Sequence, residues 1–240
     1  MAGFDQKSVQ AAIQAAIEAS VIKKEGKPDK VRKFVESLDF VVNVRDVNLN
    51  DPKNRIQAEI QVPNVVDENA SILVICDGDR KLQARKLGFD TLDKEGLQEL
   101  GSKDKKQIKK FVKKYRFFIA QADLMRFVAQ YLGRYLGPRG RMPIPAPNGF
   151  GVFQPSQDVT GVLERYKSVV RLMMRKQPQV QVKIGKKNMS VPALTQNAMA
   201  VLDYLSHHLP RGLDSVKSVY IKTTMGRGIR VQAKTKGGRK

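Results

Sequence analysis

The hydropathy pattern of this chain changes style twice, and that double change constrains the fold more than any single motif. Residues 6–24 carry apolar positions at Val9, Ala12, Ile13, Ala16, Ile17 and Val21, which is helical spacing. Residues 37–45 then alternate, with Leu38, Phe40, Val42 and Val44 on one side and Ser37, Asp39, Asn43 and Arg45 on the other. "RIQAEIQV" repeats the alternation through Ile56, Ala58, Ile60 and Val62. Period-two alternation marks strands with one dry and one wet face, and the turn cluster "NLNDPKN" between the two predicts an antiparallel hairpin. From Asn69 the alternation stops. "SILVIC" and "RFFIAQ" are continuous apolar runs, interspersed with helical patterns over 79–87, 104–114 and 123–136. Strands that are apolar on both faces and alternate with helices belong to a parallel sheet covered on both sides. After Pro155 the first style returns. A helix is predicted from a cap at Ser156–Asp158 through Val162, Leu163, Tyr166 and Val169. "VQVKI" points Val180, Val182 and Ile184 inward and Gln181 and Lys183 outward. A helix follows over about 192–208, then "SVYIKTT" and "GIRVQAK" as two final strands.

The fold expected from this order is an α+β split domain with an antiparallel sheet, made of residues 1–66 and 157–240. Between its halves lies an inserted α/β domain, Rossmann-like with a parallel sheet, over residues 67–156.

Charge narrows the function. The formal net charge is +21 over 240 residues, and it is unevenly spread. Residues 1–66 hold 10 basic and 9 acidic side chains, residues 67–156 hold 17 and 10, and residues 157–240 hold 17 and 4. An excess concentrated late in the chain is the footprint of a polyanion-binding surface rather than a uniform solubilising coat. No apolar run approaches the roughly 20 residues of a membrane span. The N-terminus lacks the pattern of a signal peptide, so a cytoplasmic protein is expected, and the single Cys76 fits a reducing compartment.

The outward residues of the predicted sheet supply the candidate site. Parity places Tyr220, Lys222 and Thr224 on one side of a strand, and Arg230, Gln232 and Lys234 on the matching side of the next. Lysine, arginine, hydroxyl and amide groups gathered this way satisfy phosphate oxygens and ribose hydroxyls; an ordinary solvated face would show the same alternation. In "KTTMGRGIRV" Gly226 is expected to open a two-residue type II′ turn, with positive φ, and to let another backbone approach. Arg227 tops that turn. The loop "LGPRGRMPIPAPNG" carries Arg139 and Arg141 between glycines and prolines. It reads either as a stiff basic loop that touches phosphate or as a connector back to the first domain. The last five residues, "KGGRK", read as a frayed basic tail.

Catalytic constellations are scarce. His207 and His208 are adjacent near a helix C-terminus and do not face each other. Cys76 reads as a small core residue. No CxxC, HExxH, Walker or GxSxG motif is present, so no metal, cofactor or catalytic residue is expected. The competing reading is a nucleotide-dependent enzyme module with a basic RNA-targeting domain. It is opposed by the turn after "SILVIC", where Asp77 and Asp79 would repel a pyrophosphate.

Three segments, "RKFVESLDFVVNV", "LGRYLGPRGRMPIPAP" and "SVYIKTTMGRG", resemble in order and spacing the ribosomal protein L-one family, in its archaeal or eukaryotic form. The resemblance runs over essentially the whole chain. It implies a structural constituent of the large ribosomal subunit, cytoplasmic and monomeric outside the ribosome. It further implies direct binding of stalk rRNA, assistance to exit-site tRNA movement and release, and repression of its own mRNA. Matching positions for RNA contact are Lys33, Phe34, Ser37, Lys183, Thr224, Met225 and Gly226; the residue-level reading adds Lys222, Arg227 and Arg230, with Arg139 and Arg141 as a secondary contact. Phe34 shares parity with the core residues Leu38 and Phe40. For it to meet RNA, the strand must begin after it, or a bulge must re-aim it.

Overall fold

The structure is a computed structural model and describes residues 4–24, 27–30 and 32–233. The first stretch runs through helix α1 (Gln6–Glu18), a short pair β1 (Ile22–Lys24) and β2 (Lys27–Lys30), and strands β3 (Ser37–Val44) and β4 (Ile56–Gln61). It continues with β5 (Ile72–Ile75), α2 (Asp79–Lys86), β6 (Asp90–Leu92), α3 (Lys94–Ser102), α4 (Lys105–Lys114), β7 (Phe117–Gln121), α5 (Met125–Leu136), β8 (Val152–Phe153) and α6 (Val159–Tyr166). The chain closes with β9 (Val169–Met174), β10 (Gln179–Lys186), α7 (Val191–His208), β11 (Val216–Thr223) and β12 (Ile229–Arg230). It divides into two compact units, Met1–Asp67 with Ser168–Lys240, and Glu68–Lys167.

In the split unit the four-stranded sheet has the order β10-β3-β11-β12, every pair antiparallel. The inward residues of β3, Leu38, Phe40, Val42 and Val44, are all buried. They join Val9, Ile13 and Ala16 of α1 and Leu194, Ala198, Val201 and Leu205 of α7 in one core. Removing a Leu or Phe side chain of this kind from water contributes roughly 1.5–3 kcal/mol. The hairpin predicted between residues 37–45 and the strand after it does not form. Both edges of β3 are already taken, by β10 and β11, so β4 pairs instead with β9. The helix predicted to run through Val169 ends at Tyr166, and "VVRLMM" is strand β9. Val169 and Val170 are β-branched and follow directly on the helix end, which suits them to a strand.

The inserted unit has a fully parallel sheet in the order β6-β5-β7-β8. Ile72 through Ile75 and Phe117 through Ala120 are buried without alternation, because helices cover both faces. The return to the split unit falls at Ser168 rather than at 157. Helix α6 packs Tyr166 edge-on against Phe117, with ring centroids 5.2 Å apart, and so belongs with the inserted sheet. Lys234 and the basic tail lie outside the described residues.

Candidate nucleic-acid interface

The register of the sheet sorts its outer face into rows. Lys186 stands opposite Ser37; Lys183, Asp39 and Lys222 form the next row; Gln181, Val41, Tyr220 and Arg230 the next; Gln179, Asn43 and Ser218 the last. The register slips between Lys183 and Gly185. That bulge brings Lys183 and Lys186, three residues apart, to the same face. Both clasp one carboxylate: Lys183 Nζ lies 2.8 Å from Asp67 Oδ2 and Lys186 Nζ 2.9 Å from Oδ1. Burial opposes the ionisation of Asp67, but the hydrogen bonds and charge of the two lysines outweigh it and hold the carboxyl below its ordinary value. Lys183 is therefore a paired cation. The sequence reading missed Lys186 and Asp67, since a bulge leaves no mark in the alternation.

The upper end of the face is built differently. Strand β3 begins at Ser37, so Phe34 precedes the strand and its core parity lapses. Lys33, Phe34 and Val35 are exposed, the latter two at 53% and 57%, and Glu36 directly after them is buried. Glu36 is the anchor of the region. Its carboxylate accepts from Arg32 Nη1 at 3.0 and 3.1 Å and from the backbone N–H of Met225 at 3.0 Å, and its own carbonyl accepts from Lys187 N at 2.8 Å. Arg32 also donates to the carbonyl of Met225 at 3.2 Å and to that of Ser20 at 2.8 Å. Both backbone groups of Met225 are thus held, while its side chain stands 65% exposed. Beside it, Thr224 N donates to Ser37 O, and Ser37 N donates to Thr224 Oγ1, both at 3.0 Å. The Thr224 hydroxyl extends the sheet by one pair, where the sequence reading had it lining the wet face.

Gly226 does not open a type II′ turn. It is not among the positive-φ residues, and β11 and β12 pair only up to Ile221 and Ile229, so the connection is a longer loop. Its N–H donates to Thr223 O at 3.1 Å, and a Cβ at this position would run into Thr223 Oγ1. Thr223 is fully buried and β-branched and cannot give way, so close approach, not handedness, requires the glycine. The Thr223 hydroxyl beneath it has no hydrogen-bond partner. Arg227 and Arg230 are exposed and have no acidic partner among the described residues.

In the inserted unit, Arg141 is a structural cation. Its Nη1 donates to the carbonyls of Val112 and Tyr115, each at 2.7 Å, at the C-terminal end of α4. The sequence reading makes Arg141 a second RNA contact; in the structure this nitrogen is engaged inside the unit, and the residue is half-buried. Arg139 is half-buried, and one of its guanidinium nitrogens lacks a partner. The loop is held in place: Gly140 has φ 62°, Arg141 N donates to Leu136 O at 3.0 Å, and Ile144 is buried. At the C-terminal edge of the sheet, where a nucleotide would sit, Gln121 joins Asp77 and Asp123. Carboxylates there oppose a phosphate. Burial and the Asp77 charge push the buried Cys76 thiol up to about 11, which removes it as a nucleophile. The ring Nδ1 of His207 donates to the carbonyl of Asp203 and that of His208 to the carbonyl of Tyr204, each at 2.9 Å within α7, and His208 stacks on Tyr204 at 3.8 Å. Among the described residues no group of His, Cys, Asp or Glu is placed to hold a metal, and no helix is long and apolar enough to cross a membrane.

A family model described as "Ribosomal protein L1p/L10e family" matches residues 4–227. The chain is similar to the large ribosomal subunit protein uL1 of Thermococcus kodakarensis, with 40% identity over 230 residues, 95% of this chain and 99% of that protein. It is 39% identical to uL1 of Methanobrevibacter smithii over 219 residues, 91% of this chain and 99% of the other. It is 35% identical to uL1 of Aeropyrum pernix over 230 residues, 96% and 99% of the two chains.

Proposed function

The chain belongs to the ribosomal protein L1p/L10e family, and from that premise we propose how it works: as a structural constituent of the large ribosomal subunit in the cytoplasm, not an enzyme, it grips stalk rRNA through the rim formed by residues 33–37 and 224–227. The observation that carries this reading is the Glu36–Arg32 clamp. It draws two segments that are 189 residues apart into one fixed edge on which Phe34, Val35 and Met225 stand exposed. Folding alone gives no reason to hold large apolar side chains out in water beside a basic sheet. A nucleic acid gives one: Phe34 offers a ring for stacking, Met225 and Val35 offer apolar surface to sugars, and the side-chain-free Gly226 lets a ribose-phosphate backbone approach. Lys33, Lys222, Arg227 and Arg230 add phosphate contacts and hence affinity.

The same rim would hold any RNA that reproduces the stalk fold, so repression of the protein's own mRNA is part of the proposal. Assistance to exit-site tRNA movement rests on the family resemblance alone.

Filter binding of a stalk rRNA transcript tests the reading. Met225→Asp should weaken binding by about 2 kcal/mol or more, the scale of an interface hot spot, and leave thermal melting unchanged. Lys217→Ala, on the exposed far end of the same sheet, should cost far less. Equal losses that vanish together at moderate salt would reduce the site to charge alone. Co-sedimentation of the chain with large subunits from a lysate tests residence on the ribosome, and its absence would leave only the mRNA role.

A further inference from the structure

We propose that the exposed face of α4, in the inserted unit, is a second RNA-binding surface that reads phosphate charge and not sequence. Six of its ten residues are lysine. Lys114 is paired with Asp90 at 2.9 Å. Lys105, Lys106, Lys109, Lys110 and Lys113 are exposed and have no acidic partner among the described residues. The apolar side of the helix is already used, since Ile108 and Val112 are buried and Phe111 packs edge-on against Tyr115 at 5.2 Å.

These charges work against the helix that bears them. Lys105 with Lys109, Lys106 with Lys110, and Lys109 with Lys113 are like pairs one turn apart, which destabilise a helix. Lys105 and Lys106 occupy the first turn, where the helix dipole favours acids, yet no acid stands there and Asp104 makes no capping bond. The preceding helix shows the ordinary arrangement: α3 has Glu95 in its first turn, a capping bond from Asp93, and Glu99 paired with Lys103 at 2.8 Å. Solubility would be served by mixed signs, as on α3. The loop that meets the C-terminal end of α4 through Arg141 also carries Arg139, whose Nη1 is buried without a partner.

The chemistry of the face selects its occupant. A helix that lies on a membrane needs a free apolar side, and α4 has none left. On α4 itself no aromatic ring is exposed for base stacking, since Phe111 is half-buried. What remains is a basic row about 15 Å long, which suits consecutive phosphates of an RNA backbone. The inference goes beyond the split-domain rim and does not depend on Phe34 or Met225.

The test uses the full chain with Lys106, Lys109, Lys110 and Lys113 all changed to Gln. It is titrated against a stalk rRNA transcript and, separately, a deacylated tRNA, between about 50 and 200 mM salt. The proposal expects a loss of affinity at the low-salt end. It also expects a log–log salt dependence shallower by about 0.7–0.9 for each phosphate contact removed, with discrimination against unrelated RNA retained. An effect confined to the transcript assigns the face to rRNA; one confined to tRNA assigns it to tRNA. Melting of the variant should be unchanged or raised, because repulsion is relieved. An unchanged salt slope with both RNAs overturns the proposal, as does a lowered melting temperature, or a loss of binding to anionic vesicles with RNA binding intact. Met225→Asp separates the two readings: it should abolish discrimination and keep the slope. If it changes nothing while the lysine variant loses affinity, the rim fails and α4 stands.

Discussion

Two sets of lysines in this molecule stand in opposite settings. On the outer face of the four-stranded sheet, Lys183 and Lys186 share Asp67, and Lys222 lies across from Asp39. On α4, five lysines meet no acid among the described residues. The sheet gains little free charge from its lysines, but at its upper end it has a geometry locked by hydrogen bonds to the buried Glu36 carboxylate. The helix has charge in plenty and nothing to fix where an incoming group would go. The contrast separates two ingredients of nucleic-acid binding that a net charge of +21 merges into one number: a fixed shape, which can discriminate, and a dense field, which only attracts.

The comparison breaks most decisively at Glu36. Glu36→Ala leaves the partly buried Arg32 uncompensated and the Met225 N–H unpaired, and should lower stability by about 3–5 kcal/mol. Urea denaturation reads this, and a loss under about 1 kcal/mol would show that the rim is held by other means. Glu36→Gln keeps the shape and should cost less.

A smaller effect is expected in the inserted unit. Arg141→Met removes two charge-assisted bonds to the end of α4 and should cost roughly 1.5–3 kcal/mol. Hydrogen exchange should show lost protection over residues 105–116 and none in the split unit. Uniform loss across the chain would contradict a local role.

The smallest effect concerns the sheet lysines. Asp67→Asn should cost about 1 kcal/mol at neutral pH. Because the folded-state pKa of Asp67 is depressed, its contribution is complete above the unfolded carboxylate value of about 3.9 and is lost as pH falls through the lower folded value. The parent chain should therefore lose more stability than the variant below about pH 4; parallel acid curves would refute the clasp. The same substitution frees Lys183 and Lys186, so it should steepen the salt dependence of RNA binding and make the sheet behave more like α4.

Much of the fold was legible in particular residues. The alternation of Leu38, Phe40, Val42 and Val44 marked one buried face, and the unbroken run of Ile72 through Ile75 marked a strand buried on both. Of the candidate rim, Phe34 and Met225, which are exposed, and Gly226, which is half-buried beside them, could be named from the sequence. The partners that hold them could not. Glu36 reads as one acid among several beside a strand, and nothing near it in sequence points to Met225. Arg141 looked like Arg139, a loop cation between glycines, until its carbonyl partners on α4 separated the two.

The sequence by itself determined the two kinds of sheet, the order of units along the chain and where charge accumulates. Each of these is set by the period or composition of a local stretch, which any window of the chain exposes. The tertiary structure alone decided that β3 lies between β10 and β11 and leaves β4 to β9, and that a bulge turns Lys186 to the side of Lys183. It also decided that one buried carboxylate joins residue 36 to residue 225. Strand edges, register slips and buried ion pairs depend on which distant segments compete for the same hydrogen bonds, and that competition is settled only when the whole unit packs.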